Sequence, residues 1–409
     1  MNIEATTRRI MLDLRTLSKY TTSSPSCTRL PFTKEAKDAK EFIRYIMCEA
    51  GLKAHEDEAG NIFGVRKGKN PDLPCIMMGS HFDSVVNGGH FDGIAGVVCA
   101  VEIARLLKDN NVELDRDFVV AGFNDEEGMR FGTGYFGSKA MTGDITPEDC
   151  EKFADKDGIT IARAMEEYGL DHKKIGLAKW KEGSIGKFIE IHIEQGPVLD
   201  AEKIELGLVD CIVGIQRYMV TVNGRADHAG TTPMNMRKDA VDIAAKVVSK
   251  VADMAREKTD GTVATVGFFR TNPCAMNIVG ESTEFSMDIR SRNVSNIKDI
   301  FERTKANLEK ECSAAGASYS IDEKLVITPV NLDEEMLSHL ADSCDKLGYS
   351  YKRMPSGAGH DALQIGQTIP TVMVFVPSKD GRSHCPEEFS ENEDLAKAVF
   401  AVYDMLLKL

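Results

Sequence analysis

"PCIMMGSHFDSVVNGGHFDGIAGVVCAVEIARLL", Pro74 to Leu107, decides the architecture. Its first part, "PCIMM", is a short apolar run of strand length that stops at Gly79-Ser80, and its last part, from Ile94, is a longer apolar run of helix length. Between them lies a Gly-rich turn that holds His81, Asp83, His90 and Asp92. Such a turn is a metal site, a solvated loop or a mixture of the two, and the stretch alone leaves the three open.

Working outward, the first half of the chain alternates strand and helix patterns. "TKEAKDAKEFIRYIMCEAG" reads as a helix, "NIFGVRKG" as a strand, "DFVVAGFNDEEG" as a strand after the helix that follows Asp92, and "KFIEIHIEQG" as another. Near-continuous apolar strands between helices predict an α/β fold with a mostly parallel sheet covered on both faces. In such sheets chemistry gathers at the C-terminal ends of strands. His81, the run Asp125–Glu127 and the run His192–Gln195 all fall at such ends, which points to one shared site. From about Ile215 the pattern changes to alternating strands and amphipathic helices in the order β-α-β-β-α-β, the order of a ferredoxin-like α+β module. The predicted organisation is therefore a first domain built from 1–213 and 330–409, interrupted by an inserted domain over 214–329. Residues 146–181 read as a charged excursion with short helices.

Composition narrows the function classes. The chain has 409 residues, enough for two domains, and a formal charge of −14, which argues against nucleic acid or an anionic membrane as the main partner. No apolar stretch reaches the ~18 residues of a membrane span, and the N-terminus reads as an amphipathic helix without the apolar core of a secretory signal. Ten cysteines are scattered without a C-x-x-C pair, several of them in apolar strand or helix patterns as reduced core thiols are, so a cytoplasmic location is expected.

A divalent metal needs imidazole and carboxylate ligands converging from rigid elements. The candidates at strand ends are His81, Asp83, Asp92, Glu126, Glu127 and His192, joined by His384 in "GRSHCPEE". A single histidine is more often structural than a ligand, and His55, His172 and His339 sit in polar contexts that favour that plain reading. "NDEEG" by itself is equally a solvated turn. The signal is the joint placement. Arg290, in "SMDIRS", ends a strand of the inserted module, where a guanidinium can grip a carboxylate in bidentate fashion; on spacing alone it is equally a surface arginine.

Six separated motifs then occur in order: "GSHFDSVVNGGHFDG", "DEEGMRF", "HIEQGPVL", "GRADHAGTTPMNMRKDA", "SGAGHDA" and "VPSKDGRSHCPEE". Together they resemble the zinc-dependent amidohydrolases of the hydantoinase/carbamoylase group, within the wider aminoacylase and carboxypeptidase superfamily, along nearly the whole chain. The resemblance implies a metallohydrolase domain with an inserted lid and dimerisation domain, two divalent ions per subunit (Zn, Mn, Co or Ni), and a homodimer. It implies His81, Asp92 and His192 as ligands of one ion and Asp92, Glu127 and His384 of the other, with Asp92 bridging. Asp83 would accept the free N–H of His81 and fix its tautomer, His90 would be a bystander, and Glu126 would be the general base. His228 would polarise the scissile carbonyl, Arg290 with Asn277 would hold a substrate carboxylate, and Gln195, Gln216 and the Gly359 backbone would contact the rest of the substrate, with His360 supporting that loop. His228 and Asn277 would reach the neighbouring subunit's site.

The reaction so implied is hydrolysis of the linear ureido C–N bond of N-carbamoyl-L-amino acids, releasing amino acid, ammonia and carbon dioxide. Allantoate and β-ureidopropionate are the alternative substrates. A dipeptidase or aminoacylase is disfavoured by His192, which stands where those branches use a carboxylate. A catalytically dead binding protein of the same fold is disfavoured because every ligand and the base are retained.

Overall fold

The computed structural model describes residues 2–409. The chain forms two compact units, one running through Asp210 and resuming over Asn331–Leu409, the other spanning Cys211–Val330.

The first unit is built on a nine-stranded sheet. At its centre four strands lie in the order Phe118–Phe123, Cys75–His81, Ile185–Ile193 and Thr371–Val376, each parallel to its neighbour. The margins are antiparallel: Ile62–Arg66 pairs with Phe118–Phe123, Lys53–Glu56 pairs with Ile62–Arg66, and Leu206–Ile212 pairs with Thr371–Val376. The strands of the parallel core read as unbroken apolar runs because helices cover both faces. Every residue of Cys75–His81, Phe118–Phe123 and Thr371–Val376 is buried. Register opposes His81 to Phe123 and His192 to Phe375, so parallel pairing brings these histidines to one edge of the sheet.

Helix Ile94–Asp109 follows the Gly-rich turn and is apolar around nearly its whole circumference. A helix of that kind must be covered on all sides. It lies on the sheet and is flanked by helices Ile3–Leu17 and Asn392–Leu406. Gly96 lets it sit directly on the strand that carries His192, since a Cβ there would fall 2.2 Å from the Ile191 carbonyl oxygen. Its one buried carboxylate, Glu102, accepts the Thr6 hydroxyl at 3.0 Å and the Arg9 guanidinium at 2.9 and 2.6 Å, and so docks the N-terminal helix. The 146–181 excursion holds helices Pro147–Lys152 and Ile161–Tyr168 and a 3₁₀ turn, His172–Ala178. These close a small apolar core of their own with Phe32, Phe131 and Phe136.

The second unit is a five-stranded antiparallel sheet in the order Ser318–Ile327, Gly214–Asn223, Ser282–Ser291, then Val263–Thr265, with Phe269–Asn272 also on Ser282–Ser291. Strand Ser282–Ser291 alternates buried and half-buried positions, as expected when only one face is covered. Helices Ala240–Arg256 and Val294–Ala315 pack against the sheet. The chain order is β-α-β-β-α-β with one strand broken. "TVATVGFFRT" reads as a single strand, yet it forms two short ones, Val263–Thr265 and Phe269–Asn272. The break has a local cause: the Phe268 N–H donates to the Ser286 hydroxyl and the Ser286 N–H donates to the Phe268 carbonyl, both at 3.0 Å, which diverts the ladder around Gly267. Among the described residues no helix is long and apolar enough to cross a membrane.

Candidate metal centre and active site

Each side chain of the site leaves a strand end of the parallel core or a turn beside one. His81 is the last residue of Cys75–His81, and Asp92 closes the turn after it. Gly93 has φ +65, and a Cβ there would fall 2.3 Å from the His81 ring, so only glycine lets the helix start this close to the ligand. Glu126 and Glu127 follow Phe118–Phe123, His192 is the last residue but one of Ile185–Ile193, and His384 stands in the loop after Thr371–Val376. His384 is in a left-handed conformation at φ 56, and Gln195 at φ 55, which turns both side chains sharply out of the chain direction.

The histidines converge on Asp92. Its Oδ1 lies 3.2 Å from His192 Nε2 and 3.9 Å from His81 Nε2, and its Oδ2 lies 3.0 Å from His384 Nε2. Glu127 Oε1 is 3.5 Å from His384 Nε2, and Glu126 Oε2 is 3.9 Å from His81 Nε2. Two donor sets of the kind a divalent ion requires share Asp92: His81–Asp92–His192 and Asp92–Glu127–His384. Two further sets, His81–Glu126–Glu127 and Glu190–His192–His360, also have donor atoms close enough to hold an ion.

Electrostatics fit a cation here. Asp92 Oδ1 and Glu127 Oε1 are buried and accept no hydrogen bond, which is costly for a carboxylate unless something positive sits against it. Burial opposes the charge on Asp92, yet contact with His192 and His384 outweighs it and holds the carboxyl well below its usual range. Burial, with Asp92 nearby, pushes Glu127 up to about 8, and burial also lifts Glu126 well above the ordinary carboxylate value. The hydrogen bond to Asp92 raises His384 to about 9.

Supporting contacts add to the sequence reading. Asp83 was expected to accept the His81 ring N–H, and His81 Nδ1 lies 3.5 Å from its Oδ1 and 3.2 Å from its backbone carbonyl. The Asp83 carboxylate also accepts the backbone N–H groups of Glu126 at 3.0 Å and Glu127 at 3.2 Å, a contact that chain spacing does not reveal. Gln195 was expected to meet substrate, but its Nε2 donates to Asp92 Oδ2 at 3.1 Å and lies 3.1 Å from His384 Nε2. Gly359 was expected to let a ligand approach; the group that approaches is the Tyr135 hydroxyl, 1.8 Å from where a Cβ would stand. His360 does support its loop, with Nε2 2.9 Å from the Ser356 hydroxyl and its ring 4.4 Å from that of His192. His90 Nε2 faces the Pro25 carbonyl at 2.8 Å, away from the cluster.

The other expected residues belong to the second unit. The His228 backbone pairs with Ile278, and the Ala229 N–H donates to the Asn277 carbonyl at 3.0 Å, so these two loops are laced together. His228 Nδ1 accepts the backbone N–H groups of Gly230 and Thr231 at 3.0 and 3.2 Å, which fixes the ring and leaves Nε2 to carry the proton. Gln216 Oε1 accepts the Tyr218 hydroxyl at 2.5 Å. Arg290 is held by Asp288, Nε to Oδ1 at 2.8 Å and Nη2 to Oδ2 at 3.2 Å, a partner two residues away that the strand pattern left unnoticed. Sequence reading also missed the buried Glu190 and Glu388; the available signals were position two residues before His192 for the first and the end of "GRSHCPEE" for the second.

A sequence model of peptidase family M20/M25/M40 matches residues 77–408, a span that contains every donor of the cluster. The chain belongs to that family. It is 39% identical over 406 residues to the N-carbamoyl-L-amino-acid amidohydrolase of Paenarthrobacter aurescens, covering 99% of this chain and 98% of that one. It is 34% identical over 394 residues to the allantoate amidohydrolase of Bacillus subtilis strain 168, covering 96% of this chain and 95% of that one. Among solved structures, a hydantoinase/carbamoylase family amidase from Burkholderia multivorans superposes with a TM-score of 0.90 at 30% identity, covering 98% of this chain and 97% of that one. The family and its hydrolase chemistry are thus shared along the whole length, and the donor sets are compatible with divalent metal.

Proposed function

We propose that the protein is a metal-dependent amidohydrolase that cleaves the ureido C–N bond of N-carbamoyl-L-amino acids. The observation that carries the reading is Asp92, whose two oxygens face His192 and His384 separately while Oδ1 accepts no hydrogen bond. A carboxylate placed in that way suits a bridge, with His81, Asp92 and His192 on one side and Asp92, Glu127 and His384 on the other. Two divalent ions bound there would polarise the substrate carbonyl and lower the pKa of a water between them.

The chain's own groups do the rest. Glu126, lifted by burial, takes a proton from the attacking water on its side-chain oxygen and delivers it to the leaving nitrogen. Asp83 holds the turn that aims Glu126 and Glu127. His228, with its proton on Nε2, donates to the carbonyl oxygen as charge develops there. Arg290, oriented by Asp288, and Asn277 bind the substrate carboxylate, and Gln216 contacts the ureido group. Gln195 is better assigned to Asp92 and His384 than to substrate. The Gly359 loop contributes backbone beside Tyr135.

The chain is proposed to act as a homodimer in which His228 and Asn277 serve the partner subunit's site. Support comes from the exposed apolar residues that flank their loops, Met234, Met236 and Met276, the last of which is fully exposed. The decisive assay is ammonia release from N-carbamoyl-L-amino acids, allantoate and dipeptides by metal-loaded protein. Allantoate is the second reading, favoured by the Bacillus subtilis relative and by an allantoate amidohydrolase of Escherichia coli strain K12 that is 33% identical over 382 residues. Preference for allantoate would select that reading, and activity on dipeptides alone would overturn both.

A further inference from the structure

Glu388 lies four residues beyond His384 and is 5% exposed. Its carboxylate joins two segments that are far apart in the chain. Oε1 accepts the backbone N–H groups of Phe91 and Asp92, both at 3.0 Å. Oε2 accepts the Ser383 hydroxyl at 2.7 Å and the His384 backbone N–H at 3.3 Å. All four contacts donate into the carboxylate, so a group with two acceptor oxygens is required, and no neutral side chain of that length offers them.

The Gly-Gly turn at Gly88-Gly89 acquires a reason here. A Cβ on Gly89 would fall 2.2 Å from Glu388 Oε1 and 2.3 Å from its Cβ. The turn is bare so that Glu388 can pass beside it and reach the two N–H groups that follow. Those N–H groups belong to the turn that presents Asp92, and the opposite oxygen grips the loop that presents His384. Asp92 Oδ2 and His384 Nε2 stand 3.0 Å apart between the two segments that this carboxylate joins.

We propose that Glu388 is a positioning residue that sets the spacing of Asp92 and His384, and with it the affinity of the ion held by Asp92, Glu127 and His384. The inference rests on the metal reading above, and it concerns ion binding, not substrate. Residues that orient ligands from behind commonly change metal affinity by about 10–100-fold when replaced.

The test uses chelator-treated full-length protein titrated with Co²⁺ or Zn²⁺ against a competing chelator, without substrate. His384→Ala identifies which binding step belongs to the Asp92–Glu127–His384 group. Glu388→Gln keeps the length but replaces one acceptor with a donor that faces donors, and should weaken that same step by about 10–100-fold while the other step changes by less than about threefold. Far-UV circular dichroism and melting of the metal-free variant check the fold. A folded Glu388→Gln protein with unchanged affinities overturns the proposal, as does equal weakening of both steps. If Glu388→Gln does not fold, Ser383→Ala removes one of the four donors and should weaken the same step severalfold; no change there overturns the proposal. Wild-type protein that binds no divalent ion would instead sink the metal reading itself.

Discussion

Glu126 and Glu127 are adjacent in sequence yet address different histidines: Glu126 Oε2 lies 3.9 Å from His81 Nε2, and Glu127 Oε1 lies 3.5 Å from His384 Nε2. The division follows from the turn after Phe118–Phe123, where Asp125 takes a left-handed conformation at φ 61 and the two following N–H groups point at Asp83. Glu126→Gln should therefore leave metal content near normal and cut turnover by roughly 10²–10⁴-fold, the range for lost acid–base catalysis. Metal analysis beside kcat decides it. An emptied metal position would mean that Glu126 is a ligand, as its place in the His81–Glu126–Glu127 set allows.

Asp83→Asn tests the turn from behind. The carboxylate accepts two backbone N–H groups, and an amide offers one oxygen, so one buried donor loses its acceptor. The expected result is a stability loss of about 1–3 kcal/mol in denaturant melts. A fall in ion affinity of about tenfold or more should accompany it. Loss of stability with ion affinity intact would confine Asp83 to the fold.

Ion binding should depend on pH with a definite sign. Without metal, His384 sits at about 9 through its hydrogen bond to Asp92, and Glu127 at about 8 through burial and the charge of Asp92. Both must lose protons to act as ligands, so binding releases protons and apparent affinity rises as pH climbs toward these values. The gain should level off above about pH 9, where both groups are already deprotonated. Calorimetry in buffers of different ionisation enthalpy counts the released protons; a count of zero near pH 7 would contradict the arrangement.

His228→Ala should lose most of its activity with the ions still bound. Mixing His228→Ala with Glu126→Gln chains should then restore a fraction of activity, because heterodimers would contain one site with both groups intact. No recovery, in a mixture shown by mass spectrometry to have exchanged subunits, places His228 in its own chain's site.

Arg290 reads the substrate only if its effect tracks the carboxylate. Asp288 already occupies Nε and part of Nη2, so a substrate carboxylate shares this guanidinium with it. Lysine keeps the charge and loses the fork. Arg290→Lys should lower kcat/KM by about 10–100-fold on N-carbamoyl amino acids and change little on the corresponding carboxamides, which wild type should already handle poorly. Equal losses on both would assign Arg290 to the fold of its strand.

The parallel core was legible because its strands are buried on both faces and therefore spell continuous apolar runs, as "CIMM" and "FVVAGF" do. The candidate donor cluster was legible because imidazoles and carboxylates at successive strand ends recur in recognisable motifs. The broken strand at Gly267 was not, since the Ser286 hydroxyl that takes the Phe268 N–H out of the ladder lies eighteen positions beyond Phe268. Two supporting carboxylates were equally hidden. Glu388 and Glu190 each accept from backbone N–H groups, and a backbone donor leaves no mark in a sequence.

Sequence alone therefore determined what depends on residue type and local period: the α/β pattern with its β-α-β-β-α-β insertion, and the imidazole and carboxylate donors at the strand ends. Tertiary structure decided which atoms meet. It gave Asp92 two separately facing oxygens, turned Gln195 onto Asp92 and His384, and filled the space at Gly359 with Tyr135. These outcomes turn on close contacts between groups up to hundreds of residues apart, and chain spacing fixes no such contact once loops of variable path intervene.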